Sequence, residues 1–174
     1  MPDTINFYRV SEPYGEFGNF PEFPITLDGK TTKSSERWFQ AMKFAGTPHE
    51  DEVLNASSSR ESANMGRDRS RPLRADWDKP IDTSTIPDSA ALLTRWAKFV
   101  GSEMLTKDYI MLRAVRAKFT QHAKLGELLL STGDAILVEH TTNDSYWGDG
   151  GDGSGKGMLG KILMLVRDEL RQGL

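Results

Sequence analysis

Glu36, Gln40 and Lys43 recur at i, i+4 and i+7 in the run Ser34-Ser35-Glu36-Arg37-Trp38-Phe39-Gln40-Ala41-Met42-Lys43-Phe44. On a helix that spacing puts a carboxylate, an amide and an amine on one face. Phe39 and Met42, with Trp38 and Phe44 beside them, supply apolar surface around the stripe. Such a stripe can serve as a catalytic wall. It can equally be a solvated face carrying a Glu–Lys pair. Ser34 or Ser35 offers an N-cap, and Glu36 in the first turn suits the helix dipole. Glu36 and Lys43 stand about two turns, roughly 10 Å, apart along the axis.

A second constellation runs from Asn143 to Gly160 and contains Asp144, Trp147, Gly148, Asp149, Gly155 and Gly157. A glycine-rich loop feeding a helix N-terminus is an anion cradle when its backbone N–H groups point at the ligand. Gly150 to Lys156 fits the opening of a P-loop, but Gly157 stands where that motif needs Ser or Thr. A calcium loop starting at Asp149 needs Glu at its twelfth position and finds Gly160. A flexible linker is a poor reading of a stretch entered through Tyr146 and Trp147.

Between these constellations, Arg67-Asp68-Arg69-Ser70-Arg71-Pro72-Leu73-Arg74 carries four arginines, whose forks suit phosphate and diphosphate groups. A solvated basic loop is the alternative. The segment closes on Trp77. Upstream, Tyr14 to Phe20 is an aromatic loop around Asn19, read either as a small-ligand platform or as a loop pinned to the core.

The elements that must position these residues follow from patterning. Ile5 to Tyr8 is a strand candidate. Phe23 to Thr31 reads as a hairpin turning at Asp28-Gly29 and delivering the chain to the Glu36 helix. A short helix is expected over Glu50 to Leu54, and another through Arg60, Ala63 and Met65 to Gly66. Asp78 to Asp88 reads as a surface excursion. Helices follow from Ser89 to a stop at Gly101, with Leu92, Leu93, Trp96, Phe99 and Val100 inward, from Thr106 to about His122, and from Leu125 to Ser131. The run Ala135 to His140 is a buried strand candidate whose Glu139 faces a pocket or pairs with a core arginine. Leu159, Ile162, Leu163, Val166 and Leu170 mark an amphipathic helix. The expected architecture is one mostly helical α+β domain over residues 1–174, with a small sheet from the Ile5, Ile25, Thr31 and Ile136 segments.

Composition narrows the function classes. The chain of 174 residues has a formal net charge of −3, too mild for an electrostatic nucleic-acid coat. With no cysteine, thiolate metal sites and Cys nucleophiles are excluded. Three scattered histidines, His49, His122 and His140, argue against a His-based zinc site. Met1 to Thr4 lacks the form of a signal peptide, and no apolar run reaches membrane-spanning length. An intracellular, cytoplasmic protein without metal or cofactor is expected.

The ordered set of motifs resembles the NADAR family. The family's G-x-x-S-N-F loop is similar to Gly15 to Phe20, and its S-E-x-x-[FY]-Q-x-x-K-F helix to Ser35-Glu36, Phe39-Gln40 and Lys43-Phe44. Its G-R element is similar to Gly66-Arg67, followed by Pro72, Arg74 and Trp77. Lys118-Phe119, Leu129 to Gly133, and Glu139 with Asp144, Trp147 and Gly148 match further elements, and its final glycine loop runs from Gly153 to Gly160. Two positions depart: Gly18 stands where the family has Ser, and Gly157 where it has Asn.

The resemblance implies an N-glycosidase that breaks a ribose C1–N bond through an oxocarbenium-like transition state. It points first to removal of ADP-ribose from guanine in nucleic acid, with ADP-ribosylated DNA or RNA as partner. Hydrolysis of early riboflavin-biosynthesis intermediates is the alternative, and a non-catalytic ADP-ribose-binding module a third reading. Within it, Glu36 stabilises charge at C1 or activates water, and Lys43 is a nucleophile or an electrostatic partner of Glu36. Asn19 and Gln40 orient ribose or base, Phe20, Trp38, Trp77 and Trp147 line the substrate, and Glu139 and Asp144 face it. Arg67 and the loop through Gly148, Asp149, Gly155 and Gly157 hold phosphate.

Overall fold

The structure, a computed structural model, describes residues 3–174; Met1 and Pro2, part of the opening stretch read above, lie outside the described residues. The architecture is α+β, with seven α-helices and four short strands among the described residues. The backbone forms two compact units, one comprising the chain up to Gly18, Asp88–Ser102 and His122–Leu174, the other Asn19–Pro87 and Glu103–Gln121. No helix among the described residues is long and apolar enough to cross a membrane.

In the first unit, β1 (Thr4–Phe7) pairs parallel with β4 (Ile136–Glu139), Phe7 opposite Glu139. Helix α7 (Met158–Gln172) packs on β4, and α4 (Ser89–Phe99) and α6 (Ala123–Ser131) pack on α7. Leu159, Ile162, Leu163 and Val166 are buried, as the spacing on α7 predicts, while Leu170 of the same stripe is half-buried; Leu137 of β4 is buried too. Leu93, expected inward, is 37% exposed, and α4 buries only Leu92 and Trp96, a narrower stripe than the sequence suggests.

In the second unit, β2 (Ile25–Leu27) and β3 (Lys30–Thr32) form the predicted hairpin. Asp28 and Gly29 both take positive φ, the backbone that a tight two-residue hairpin turn requires. Helix α1 (Ser35–Met42) packs against α2 (Pro48–Leu54), α3 (Ser59–Arg67) and α5 (Thr106–Gln121). The expected single sheet does not form: the two strand pairs are separate. Strand partners are chosen by distant chain segments, which local patterning does not encode. The Asp78–Asp88 excursion is mostly irregular, with one 3-10 turn at Thr83–Thr85 and a bridge from Pro80 to Leu105.

Candidate active site

Helix α1 begins at Ser34, which accepts a hydrogen bond from the Arg37 N–H at 3.3 Å. Ser34 is thus the cap, and Ser35 is freed for another task. Its hydroxyl donates to Asn19 Oδ1 at 2.8 Å, while the Glu36 N–H donates to the Asn19 carbonyl at 3.1 Å. Asn19 Nδ2 in turn donates to Met111 Sδ on α5 at 3.3 Å. Asn19 is therefore clamped to the first turn of α1, beside Glu36, and is 8% exposed.

All eight residues of α1 are buried, so the Glu36–Gln40 stripe is not a solvated face. Gln40 Nε2 donates to Glu36 Oε1 at 2.7 Å. A carboxylate accepting a short amide hydrogen bond is oriented by it. Lys43 caps the C-terminus of α1. Its Nζ lies 5.7 Å from the ring centres of both Phe39 and Trp77 and 3.3 Å from the Gly66 carbonyl oxygen. Those two rings are themselves 5.1 Å apart. Trp77 is brought there because the Arg74 N–H donates to the Lys43 carbonyl at 2.9 Å, tying the arginine segment to the end of α1.

Burial drives the Lys43 ammonium pKa down from 10.5 to about 8. The Glu36 carboxylate opposes that shift, and the Arg69 and Arg67 guanidinium groups reinforce it. A buried amine with such a pKa holds a sizeable neutral fraction near neutral pH, which is what an amine nucleophile needs.

The four arginines separate into two classes. Arg71 pairs with Asp68 at 2.6 Å, and Arg74 with Asp76 at 2.6 Å through a two-pronged contact. Arg69 donates to the Gly66 carbonyl at 2.9 Å, the oxygen that Lys43 also approaches, and Arg67 is exposed with a 3.4 Å contact to Asn64. The cations acting on Lys43 are thus Arg67 and Arg69. A run of arginines does not reveal which of them a neighbouring aspartate will neutralise, so the sequence does not single out Arg69. Phe39, at i−4 from Lys43, follows from the helical spacing.

Trp38 is 1% exposed and its indole N–H is buried without a partner. Its ring is part of the core and presents no open face to a base, contrary to the stacking role expected of it. Lying two residues from both Glu36 and Gln40, it points about 200° around the helix from them. Phe20, 40% exposed, retains an open face.

The glycine-rich loop belongs to the first unit, where it closes upon itself. Asp144 accepts from the N–H groups of Tyr146 and Trp147, at 2.8 and 2.7 Å. Asp149 accepts from those of Thr141 and Gly151 and meets His140 Nδ1 at 2.7 Å. That contact to His140 holds the Asp149 carboxyl below the usual carboxylate range. The N–H groups of Gly155, Lys156, Gly157, Met158 and Leu159 all donate to carbonyls of Ser145 to Asp149. The backbone cradle expected here is therefore occupied by the loop's own oxygens, including the N–H groups of Gly155 and Gly157. Gly148 is buried and Trp147 half-buried, the latter edge-on to Tyr146 at 5.0 Å. Glu139 is half-buried at the end of β4, its carbonyl accepting from the Asp149 N–H at 3.0 Å. Gly157 precedes α7 at φ 60°, ψ 36°. Glycine and asparagine are the residues that most readily adopt this left-handed backbone, so Gly in place of the family's Asn preserves the turn into the helix.

Among the described residues, no three His, Asp or Glu side chains come together as metal ligands. An open depression lined by Thr4, Ile5, Asn6, Glu12, Pro13 and Tyr14 contains none of the predicted site residues.

Helix α1 thus presents a carboxylate held by its own helix and, at the helix end, a desolvated amine, and comparison with known proteins gives the class of enzyme as N-glycosidase. The model of the NADAR domain matches residues 6–171, running through both units. The chain is 46% identical to the N-glycosidase YbiA of Escherichia coli over 98% of its own length and 91% of that protein. It is 34% identical to a riboflavin biosynthesis protein of Vibrio vulnificus, over 99% of this chain and 40% of that one. The NMR structure of E. coli YbiA superposes with a TM-score of 0.76 at 45% identity, covering 99% of this chain and 88% of that one. The chain belongs to the NADAR family.

Proposed function

We propose that this enzyme hydrolyses the ribose C1–N bond of early, phosphorylated intermediates of riboflavin biosynthesis, using the face of α1 that carries Glu36 and Lys43. The observation that carries the reading is the buried Gln40–Glu36 hydrogen bond of 2.7 Å beside a lysine whose pKa is about 8. The riboflavin biosynthesis protein among its relatives supports the choice of substrate.

In this reading Lys43 Nζ attacks C1 as its bond to the base nitrogen breaks, and a proton from the protein accompanies the departing base. The resulting glycosylamine loses an Nζ proton and opens its ribose ring, the C1–O4 bond breaking as O4 takes up a proton, to leave a sugar imine at Lys43; a water that Glu36 activates then hydrolyses that imine to the free sugar and the lysine amine. Earlier in the reaction the Glu36 carboxylate stabilises positive charge developing at C1. Arg67 and Arg69 receive the phosphate, Asn19 and Phe20 border the sugar and base, and Trp77 shapes the wall behind Lys43. Asp144 and Asp149 organise their loop.

A second reading, removal of ADP-ribose from guanine in DNA or RNA, is favoured by one feature: two open arginines flank Lys43, a pair suited to a diphosphate. Incubating the protein with each substrate class in parallel, and following free base and free sugar phosphate by mass spectrometry, separates the two. Faster release from the riboflavin intermediates supports the first reading, and faster release of ADP-ribose from guanine the second. Tight binding of ADP-ribose with no cleavage of either substrate would leave a binding module and end both.

A further inference from the structure

The geometry points to Gly66 as a positioning residue of the reaction, acting through Gln40 on Glu36; this rests on the glycosidase reading of the α1 face. Gly66 lies in the last turn of α3, which packs on α1. Its backbone is not in the left-handed region, so no turn requires glycine here. Alanine is also the better helix former, so helix propensity argues against glycine at this place. What a side chain at this place would displace is the Gln40 amide. A Cβ on residue 66 would meet Gln40 Oε1 at 1.8 Å and Cδ at 2.7 Å, closer than any packed atoms sit.

The amide of Gln40 is therefore lodged where a side chain on residue 66 would be. Gln40 is 6% exposed, and its Oε1 is buried without a hydrogen-bond partner. The other end of the amide donates to Glu36. The observed orientation sets the amide N–H against the carboxylate oxygen, donor to acceptor. The cost of leaving Oε1 unpaired is borne so that Nε2 reaches Glu36. Gly66 admits that arrangement, and its carbonyl receives Lys43 and Arg69 on the same turn. The family's glycine-arginine element is thus given a physical task at its first residue.

The test compares Gly66→Ala, Gln40→Ala and the double variant with the parent. Both single variants are expected to lower kcat about 10–100-fold with KM changed by less than about threefold, because an orienting contact is lost rather than a binding one. In the double variant the Gln40 amide that clashes with the new Cβ is gone. It is expected to fold like Gln40→Ala and to be no slower, which keeps the test informative even if Gly66→Ala alone folds poorly. A further loss of kcat in the double variant would overturn the proposal, as would an unchanged kcat in folded Gly66→Ala. A second readout does not depend on activity. The side-chain amide of Gln40, identified in 15N-labelled protein by its loss in Gln40→Ala, should be protected from exchange in the parent and lose that protection in Gly66→Ala. An amide signal unmoved by Gly66→Ala would refute the positioning role. A parent inactive on both substrate classes, with the amide behaving as expected, would remove the glycosidase reading alone.

Discussion

Gln40 Nε2 lies 2.7 Å from Glu36 Oε1, one helical turn away on α1, so the carboxylate is held by the helix that carries it. Because both groups are on one rigid element, small shifts of loops around the site leave their geometry intact. Replacing Glu36 by Gln should reduce kcat by about 100–1,000-fold, the scale of losing a charge-stabilising or water-activating group. Substrate affinity should fall far less, which equilibrium binding of the intact substrate to the variant will check.

In the proposed reaction Lys43 sets the pH dependence. Attack on C1 by its amine needs the neutral form, so kcat/KM should rise with pH and level off above about 8, the value to which burial lowers the ammonium. A rate that falls as pH passes 8 would identify the protonated lysine as the working form and make it an electrostatic partner of Glu36.

The same burial makes Lys43 a liability for the fold. Between pH 8 and 10.5 the unfolded chain binds a proton on this residue that the folded protein does not, so stability rises with pH through that window. Below pH 8 the charged form has to be buried, at a cost of about 3 kcal/mol. Lys43→Met, which keeps an unbranched chain against Phe39 and Trp77, should raise the melting temperature at pH 7 while abolishing any borohydride-trapped sugar adduct. Thermal unfolding alongside peptide mass mapping measures both.

Charge removal among the arginines should separate them by their partners. Arg67→Gln and Arg69→Gln should each raise KM for a phosphorylated substrate about tenfold, the loss of one charge-assisted contact. Arg71→Gln and Arg74→Gln, already paired with Asp68 and Asp76, should change KM by less than about twofold. Steady-state kinetics on the four variants decides this.

Gly157 supplies a test of the loop. Gly157→Asn should leave the melting temperature nearly unchanged, because asparagine tolerates the left-handed backbone found there. Gly157→Ala should cost about 1–2 kcal/mol, readable in urea denaturation.

Much of α1 was legible before the structure. Its cap and its polar stripe are local features, and local features are what spacing encodes. The Asp28-Gly29 hairpin was legible for the same reason, since its turn chemistry is contained in two residues. Three things were not. The glycine-rich loop looked like an open cradle, because the sequence counts N–H groups but not the carbonyls that Ser145 to Asp149 turn toward them. The arginine run looked like four equivalent cations, although Asp68 and Asp76 fold back onto two of them. Gly66 looked like a helix stop, whereas its position is dictated by Gln40, which lies 26 residues earlier in the chain and reaches it only through tertiary packing.

The most direct measurement is a single-turnover assay of the parent and Glu36→Gln on a phosphoribosylated riboflavin intermediate, following free base and sugar phosphate in equal amounts by mass spectrometry. Stoichiometric release by the parent, and release about 100-fold slower or more from a Glu36→Gln variant that still binds substrate, is the predicted result. Equal rates from the two proteins would contradict the assignment of the chemistry to the Glu36 face of α1.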